Sequence, residues 1–326
     1  MHDPSEADTA ELLLPVKAVA LDLPRPRSSL VRVDFGAVTH TGRVRPNNED
    51  AYLVFRTGRY WEKLAASLPA GDLPGRHEEN GYVMAVADGM GGAAGGEMAS
   101  SLALRAAVNL VLTSVKWSLK LDEPSTREAE ITEAIRRAED YFRRIDRTLS
   151  DAARSDPALS GMGTTLTASY SFGSDLFILH VGDSRAYLLR DSLLVQLTRD
   201  QTLAQRLADS GRIRPEEVKG HRLGHVLTQA VGTKGGNIRT ETQRLDLLDD
   251  DTLLLCTDGL TDLMQETEIA GRLTAAASAQ EACCSLVDLA LEKGGRDNVT
   301  ALVARYTIPP LSPLAGSARQ DPTEST

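Results

Sequence analysis

The stretch Tyr82-Val-Met-Ala-Val-Ala-Asp-Gly-Met-Gly-Gly92 decides the fold of this chain. A run of β-strand character ends at Asp88, and a glycine follows at once. A carboxylate at the end of a strand cannot be shielded by its own segment, so it requires water, a base or a metal ion. The stretch therefore predicts a strand that places an acid at one end of a sheet.

Five further short motifs stand in a fixed order around this stretch. They read Arg45-Pro-Asn-Asn-Glu49-Asp50, Gly163-Thr-Thr165, Gly182-Asp-Ser-Arg185, Thr257-Asp-Gly-Leu260 and Asp297-Asn298. All except the threonine motif contain an acid, mostly at the end of an apolar run or beside a glycine. Each motif alone has a plain structural explanation, because Asp-Gly pairs are common in turns. Several of them in one chain favour a shared functional site.

The bulk composition narrows the class of protein. The chain has 326 residues, of which 41% are hydrophobic and 25% charged, as is ordinary for a soluble globular protein. Its net charge of -10 argues against nucleic-acid binding, which needs a basic face. The same charge means that cations must reverse the local field wherever a phosphate docks.

A cytoplasmic location is the default expectation. No apolar run approaches the ~18 residues that span a bilayer, and the N-terminus lacks the basic and apolar regions of a signal peptide. The cysteines are Cys256, Cys283 and Cys284, without a CxxC pattern. We therefore expect buried free thiols in a reducing compartment, and neither a zinc site nor a disulfide framework.

Three regions are predicted along the chain. Residues 1–30 mix prolines and charges and are expected to form a flexible N-terminal arm, and residues 309–326 a disordered tail. The folded domain then covers 31–308. Within it, residues 56–81 are rich in glycine, proline and charge, which predicts a surface insertion with a short helical piece over 60–68.

The predicted strands occur in groups along the chain, with helices between the groups and not after every strand. Strands are predicted over 31–39, 51–55, 82–87, 164–172, 176–181, 185–190, 193–197, 252–256 and 299–306. Helices are predicted over 97–112, after the capping box Ser125-Thr-Arg-Glu128, and after Ser278-Ala-Gln-Glu281 up to Gly294. Residues 199–227 are polar and partly helical. The lack of strict strand-helix-strand alternation favours antiparallel sheets with helices packed outside.

The acids suit a particular kind of metal site. They are Glu49, Asp50, Asp88, Asp258 and Asp297, with no histidine among them. Oxygen-only ligands prefer hard divalent cations such as Mg²⁺ or Mn²⁺. Two such ions sharing one carboxylate would lie roughly 3.5–4 Å apart and could lower the pKa of a shared water to about 7. The pattern thus predicts a nucleophile at neutral pH without a side-chain base.

Two neighbouring residues fit the same chemistry. Gly89 directly follows an acid, and the absence of a side chain there allows its carbonyl to turn toward a metal. Arg45 lies just upstream of Glu49, and its planar guanidinium can bind two phosphate oxygens. Gly89 is therefore a candidate ligand of a cation, and Arg45 a candidate phosphate-binding residue.

The order of the motifs resembles the metal-dependent protein phosphatase family, the protein phosphatase 2C type of serine/threonine phosphatases. The resemblance spans about residues 33–306, includes Leu197-Thr-Arg-Asp200 and Val226-Leu-Thr-Gln-Ala-Val-Gly232, and is strongest toward the bacterial branch. It implies an α+β fold in which a β-sandwich of two antiparallel sheets is flanked on both sides by pairs of α-helices, in four layers.

The resemblance also implies a role for each site residue. Asp88 would bridge two Mn²⁺ or Mg²⁺ ions, with Glu49 and the Gly89 carbonyl on one ion and Asp258 and Asp297 on the other. In addition, Asp50 would order a bound water, Arg45 would bind the phosphate, and Asp183 and Asp262 would join Asp258 at a weaker third-metal site. Residues 199–227 would form the family's mobile flap beside the cleft.

The sequence departs from the family pattern at two positions. Met90 stands where many members have a histidine that is proposed to protonate the leaving alcohol, so a metal-bound water is the expected acid. Gln201 replaces a frequent histidine, which we expect to affect flap docking and not the chemistry. The segment 56–81 is longer than the resemblance leads one to expect, and partner specificity is the hypothesis for it.

The function implied is hydrolysis of phosphoserine and phosphothreonine in proteins by a metal-bridging hydroxide, with a role in signalling. The expected partners are phosphorylated targets of a serine/threonine kinase, with the kinase itself as a further candidate. A monomer without nucleic acid or membrane is expected. Two alternatives stay open: a catalytically weak binding protein of the same fold, and a phosphatase of small metabolites.

Overall fold

The computed structural model of the chain describes residues 27–69, 72–91, 95–113 and 125–310. Most of the expected N-terminal arm, residues 1–26, lies outside the described residues. So does most of the expected tail, residues 311–326. Gly92, which closes the stretch quoted first, is also outside them.

Eleven strands and six α-helices make up the described fold. The strands are β1 Arg32–His40, β2 Asp50–Glu62, β3 Arg76–Met90, β4 Gly163–Thr164, β5 Leu166–Phe172, β6 Asp175–Val181, β7 Arg185–Arg190, β8 Leu193–Gln196, β9 Glu241–Asp246, β10 Thr252–Cys256 and β11 Val299–Thr307. The helices are α1 Gly95–Thr113, α2 Arg127–Ser155, α3 Leu203–Asp209, α4 Asp258–Thr261, α5 Glu266–Ala275 and α6 Ala279–Glu292. Three short 3-10 helices cover Arg27–Ser29, Pro157–Leu159 and Pro215–Glu217.

The strands form two antiparallel sheets. The first sheet has the order β1-β11-β10-β7-β8. The second has the order β2-β3-β5-β6-β9, and the short β4 pairs with the end of β3. All strand pairs among the described residues are antiparallel.

Side chains that alternate along the central strands create a layered core. On β10, Leu253 and Leu255 face the core between the two sheets, whereas Leu254 and Cys256 face the core under α5 and α6. Successive residues of a strand point to opposite faces, so a strand that is apolar throughout must be covered on both sides. β10 is therefore a buried strand between a sheet and a helical layer.

The second sheet is covered in the same way. On β3, Met84 and Val86 face the core between the sheets, and Ala85 and Ala87 face the core under α1 and α2. The apolar stripe of α2 supplies Phe142 to that outer core. The predicted sandwich of two antiparallel sheets between helical layers is therefore confirmed.

Helix starts follow the predicted caps within one residue. The hydroxyl of Ser278 accepts a hydrogen bond from the backbone N–H of Glu281 at the start of α6, as predicted. The start of α2 differs, because Thr126 occupies the N-cap position in place of Ser125. Both helices present their apolar face to a sheet, which is where most helix stability in proteins arises.

The predicted short helix over 60–68 is wrong. β2 and β3 form one long hairpin whose register runs from Asp50↔Asp88 to Glu62↔Arg76. The guanidinium of Arg59 binds the carboxylate of Glu79 in two hydrogen bonds of 2.7 Å across the hairpin. Pairing with a neighbouring strand overrides the local preference of so polar a segment.

Other predictions from sequence also needed correction. The polar strand β9 was not predicted, because it lacks an apolar run and lies at the edge of the second sheet. The helices α4 and α5 were not predicted either. Of the three cysteines, Cys256 and Cys283 are buried as expected, whereas Cys284 is exposed. None of the described helices combines the length and apolar composition required to cross a bilayer.

The topology gathers four strand ends at one end of the sandwich. β2 begins at Asp50, opposite Asp88 near the end of β3, in the second sheet. β10 ends at Cys256, opposite Ala301 near the start of β11, in the first sheet. The hydroxyl of Thr300 donates a 2.7 Å hydrogen bond to the Asp50 carboxylate and so joins the two sheets here. This end is where the acidic motifs meet.

Candidate active site

A cleft of about 2140 Å³ opens at this end of the sandwich. Its walls are the ends of the strands on one side and the flap, residues 199–227, on the other. Residues of all the acidic motifs line it; among them are Arg45, Glu49, Asp88, Gly89, Met90, Asp183, Asp258, Asp262 and Asp297. The structure thus brings together the site residues expected from the sequence except Asp50, which is buried and does not line the cleft.

The backbone of Asp88 is fixed by the threonine motif. Its N–H donates a 2.9 Å hydrogen bond to the hydroxyl of Thr165. Its carbonyl accepts hydrogen bonds from the Thr164 hydroxyl at 2.8 Å and the Thr165 N–H at 2.9 Å. Because the main chain is satisfied in this way, the Asp88 carboxylate is left to face the cleft.

Asn298 and two glycines position Glu49. The side-chain oxygen of Asn298 accepts a 2.8 Å hydrogen bond from the Glu49 N–H, and the carbonyl of Glu49 accepts one from Gly89 N–H at 3.2 Å. The carboxyl group of Glu49 packs against the backbone of Gly96, where an added Cβ would lie 2.6 Å from Glu49 Cδ. Glycine at position 96 thus makes room for the Glu49 carboxylate.

Asp50 is buried and only half satisfied. One carboxylate oxygen accepts hydrogen bonds from the hydroxyls of Thr257 at 2.8 Å and Thr300 at 2.7 Å. The other oxygen, Oδ1, is buried and has no partner among the described protein atoms. Burial raises the pKa of Asp50 to about 7, against the effect of the two threonine hydrogen bonds. Such an oxygen calls for a bound water or ion.

Asp258 and Asp297 come from the first sheet. Asp258 opens α4 directly after β10, and Asp297 precedes β11. Burial, followed by the charges of Asp262 and Asp297, raises the pKa of Asp258 to about 6. One oxygen of Asp297 accepts a 2.8 Å hydrogen bond from Asn298 N–H, and the other accepts a 2.6 Å hydrogen bond from the Arg45 guanidinium.

The acids at this end repel one another. Burial raises the pKa of Asp88 well above its usual range, and the charges of Asp50, Asp258, Asp183 and Asp297 raise it further. Several carboxylates whose pKa values rise together need cations to hold them in their ionised form. Oxygen donors, an unpartnered buried oxygen and a glycine cradle suit hard divalent cations such as Mn²⁺ or Mg²⁺.

A second group of ligands includes a residue that sequence reasoning missed. The possible ligand atoms of His225, Asp258 and Asp262 all lie within 4.8 Å of one another. His225 belongs to the flap, and its Nδ1 lies 3.6 Å from the Asp262 carboxylate. No sequence signal marks it, because only the fold of the flap brings it over the acids.

The expected third-metal residue Asp183 lies beside this group. It is buried in the same cleft, and its pKa is raised by burial and then by the charge of Asp258. It is not a member of the compact trio around His225. Asp183 and Asp262 thus share the cleft, while their joint role at a third ion stays a prediction.

The two ends of the flap lie side by side and are joined by backbone hydrogen bonds. The backbone N–H of Leu203 donates to the carbonyl of Val226 at 2.8 Å, and the N–H of Thr228 donates to the carbonyl of Gln201 at 2.7 Å. The side-chain oxygen of Gln201 accepts a 3.1 Å hydrogen bond from Gly182 N–H at the end of β6. The glutamine that departs from the family pattern thus lies where the flap joins the sandwich.

The acidic cluster predicts how stability depends on pH. In excess chelator, the melting temperature is expected to fall by about 5 °C or more between about pH 5 and pH 7.5. The pKa values of Asp50 (about 7) and Asp258 (about 6) lie above the ordinary aspartate value of 3.8, so the folded chain holds more protons than the unfolded chain in this window. The contribution of these two carboxyl groups to stability is therefore fully present below about pH 4 and is lost as the pH rises to about 7.

Calorimetric melting curves check this expectation. Excess Mn²⁺ should raise the melting temperature most at the upper end of the pH range, where the carboxylates are ionised. A chelated protein whose melting temperature is flat from about pH 5 to pH 7.5 would contradict the electrostatic description of the cluster.

Comparison with known proteins now identifies the family. The family model described as protein phosphatase 2C matches residues 64–290. The chain belongs to the protein phosphatase 2C family. The resemblance inferred from the motifs is therefore confirmed.

Two relatives of this protein phosphatase 2C chain come from bacteria. It is 34% identical over 270 residues to a serine/threonine phosphatase of Listeria welshimeri, covering 83% of this chain and 94% of the relative. It is 36% identical over 247 residues to the serine/threonine protein phosphatase PstP of Mycobacterium tuberculosis. That match covers 74% of this chain but only 44% of the length of PstP.

A solved structure of this family supports the cation assignment. The catalytic domain of PstP, determined in complex with two manganese ions, is 32% identical in sequence and superposes with a TM-score of 0.64. The match covers 85% of this chain and 99% of that domain. The expected pair of divalent cations thus has a direct counterpart in a related structure.

Proposed function

We propose that this chain hydrolyses phosphoserine and phosphothreonine in proteins, releasing the alcohol side chain and inorganic phosphate. The observation that carries the proposal is the meeting of acids from both sheets in one open cleft. Glu49 directly precedes β2 and Asp88 lies near the end of β3 in the second sheet, whereas Asp258 follows β10 and Asp297 precedes β11 in the first. Membership of the protein phosphatase 2C family supports the same reaction.

The proposed ligands divide between two cations. Asp88 would hold both ions, Glu49 and the Gly89 carbonyl the first, and Asp258 and Asp297 the second. When bound, the cations supply a water ionised at neutral pH as the nucleophile and neutralise charge on the phosphoryl oxygens. The chain's own contribution is a rigid set of oxygen ligands and a cleft that orients the ester.

Asp50 is proposed to orient the attacking water. Its Oδ2 is occupied by Thr257 and Thr300, so only the unpartnered Oδ1 is left to accept a hydrogen bond from water. The two threonines therefore fix the direction in which Asp50 acts.

The size of the cleft favours a polypeptide substrate over a small metabolite. Typical small-molecule pockets measure about 300–1,000 Å³. The cleft here, at about 2140 Å³, is larger and is bordered along one side by the flap. A phosphorylated side chain can enter such a cleft while its flanking residues remain extended along the rim.

The proposal extends to partners and location. The phosphorylated substrates would be targets of a serine/threonine kinase, with the kinase itself included, and the chain would act as a monomer in the cytoplasm. A binding protein without activity is the rival reading. Every metal-binding carboxylate expected from the family is present, which favours the enzyme.

Metal removal tests the proposed function. Hydrolysis of p-nitrophenyl phosphate and of a phosphothreonine peptide is expected to stop in excess chelator and to return on addition of Mn²⁺. Calorimetric titration of the stripped protein with Mn²⁺ should show at least two sites per chain. Binding of Mn²⁺ without turnover would favour the binding protein, and turnover that persists in chelator would refute the metal mechanism.

Arg45 is expected to contribute substrate binding. Replacing Arg45 with alanine should raise KM for p-nitrophenyl phosphate about tenfold, because the guanidinium that reaches the cleft is lost. The KM of Arg45→Lys should lie between those of the wild type and Arg45→Ala, since an ammonium cannot bind two phosphate oxygens at once. Arg43→Ala is the matched control, because Arg43 does not line the cleft. An equal rise of KM in both alanine variants would contradict the assignment.

A further inference from the structure

A fully buried carboxylate lies outside the cleft and has no role so far. Asp146, on α2, has no exposed surface and does not line the cleft. No ion pair joins it to an arginine or lysine of the described chain. A buried carboxylate without a cation is costly unless backbone N–H groups replace the lost water.

Backbone groups of one loop satisfy Asp146. Its Oδ1 accepts hydrogen bonds from the N–H of Gly232 at 2.6 Å and of Lys234 at 3.4 Å. Its Oδ2 accepts a further hydrogen bond from the N–H of Gly236. Loop 232–236 is therefore wrapped around the Asp146 carboxylate.

Ser150, one turn further along α2, reinforces the same loop. Its hydroxyl donates a 3.0 Å hydrogen bond to the carbonyl of Gly232 and accepts a 3.1 Å hydrogen bond from Gly235 N–H. Gly232 has a φ of +95°, and a Cβ there would lie 3.0 Å from the Cβ of Leu149. The loop is thus held closely against one face of α2.

The loop leads directly to the backbone of the site. Val231, the residue before it, exchanges two backbone hydrogen bonds with Thr164, of 2.8 and 3.0 Å. Thr164 in turn pairs with Gly89 and donates its hydroxyl to the carbonyl of Asp88 at 2.8 Å. The strand β4 therefore lies between the end of β3 and Val231.

We propose that Asp146 is a positioning residue for the cation ligands Asp88 and Gly89. It acts through Gly232, Val231 and Thr164, which fix the end of β3. The proposal rests on the metal ligands of the proposed function. Loss of the carboxylate would free loop 232–236, and β4 would lose its support on the side away from β3.

Manganese affinity tests the proposal. Asp146→Ala, stripped with chelator and titrated with Mn²⁺ by calorimetry, is expected to bind about tenfold more weakly than the wild type, as is typical when a partner behind a metal ligand is removed. The Mn²⁺ concentration for half-maximal activity should rise by the same factor. Asp146→Asn should bind Mn²⁺ with an affinity between those of the wild type and Asp146→Ala, because its amide oxygen can still accept from Gly232 N–H but its NH2 group cannot accept from Gly236 N–H.

Asp175→Ala is the matched control for a merely structural effect. Asp175 is also a buried carboxylate, and it accepts hydrogen bonds from Arg127 of α2 and Arg244 of β9. It does not line the cleft. Its loss should lower the melting temperature and leave Mn²⁺ affinity within about twofold of the wild type.

The outcomes separate this proposal from the proposed function. Asp146→Ala with a lowered melting temperature but wild-type Mn²⁺ affinity would overturn the positioning role. A wild-type chain that binds no Mn²⁺ would overturn the proposed function itself. If Asp146→Ala does not fold, Ser150→Ala is titrated instead; about threefold weaker binding supports the proposal, and unchanged binding overturns it.

Discussion

Replacing Asp88 with asparagine is expected to lower Mn²⁺-dependent kcat/KM at least about 1000-fold, or about 4 kcal/mol of transition-state stabilisation. Asp88 is the proposed ligand of both cations. The amide retains the shape of the side chain but removes its charge. Turnover of p-nitrophenyl phosphate at saturating Mn²⁺ measures the loss.

The same substitution should stabilise the protein when chelator is present. Burial and four neighbouring acids raise the pKa of Asp88, so the ionised carboxylate is less stable in the folded chain than in the unfolded chain. Asparagine carries no such cost, and the melting temperature in chelator at about pH 7.5 should rise by about 5 °C. The gain should shrink as the pH falls toward about 3, where the carboxyl group is mostly protonated in both states.

Glu266→Gln is the control for the Asp88 variant. Glu266 is exposed and lines the same cleft, so this change removes one negative charge without touching the acidic cluster. Its activity should stay within about twofold of the wild type. Full activity of Asp88→Asn would contradict the proposed metal site. A melting temperature of Asp88→Asn in chelator below that of the wild type would contradict the repulsion among the buried acids.

Gly89→Ala is expected to produce the second large effect. A Cβ at this position would lie 2.0 Å from the carbonyl oxygen of Gly96 and 2.8 Å from that of Glu49. Both contacts are with backbone, so α1 and the end of β3 must move apart. We expect a loss of about 2 kcal/mol in stability and about 100-fold in kcat/KM, since displacements of about 1 Å cost this much in activity.

Gly271→Ala is the matched control for this variant. Gly271 lies in α5, and a Cβ there would have nothing within 4 Å. Alanine at an open helical position should stabilise the protein by up to about 1 kcal/mol and leave activity unchanged. Thermal melting and p-nitrophenyl phosphate turnover of the two variants give the comparison. A Gly89→Ala enzyme with wild-type activity would show that the close approach of Gly96 is not needed.

The layered fold was predictable because its central strands are apolar on both faces. The bounds of β10 follow from its run of leucines, which only burial between a sheet and a helical layer can satisfy. The acids at strand ends were predictable for the same reason. The apolar run of β3 that ends before Asp88 marks both the end of the core and the start of the site.

The features that were not predicted from the sequence depend on contacts between residues far apart in the chain. The distal β2–β3 hairpin is held by cross-strand pairs such as Arg59 with Glu79, which lie far from an apolar core. His225 reaches the acids only because the flap folds over them. The support from Asp146 runs through backbone hydrogen bonds of a loop 86 residues further along the chain, and side-chain types alone do not encode them.

The adjacent ends of the flap have a consequence for divergence within the family. The flap leaves the sandwich after Gln201 and returns to it at Thr228, and these two residues are joined by a backbone hydrogen bond. Insertions, deletions or exchanges inside the flap therefore need not disturb the strand register. Substrate preference can then evolve separately from the hydrolytic machinery. A chimera carrying this segment from a relative would be a practical route to redirecting the enzyme toward other phosphoproteins.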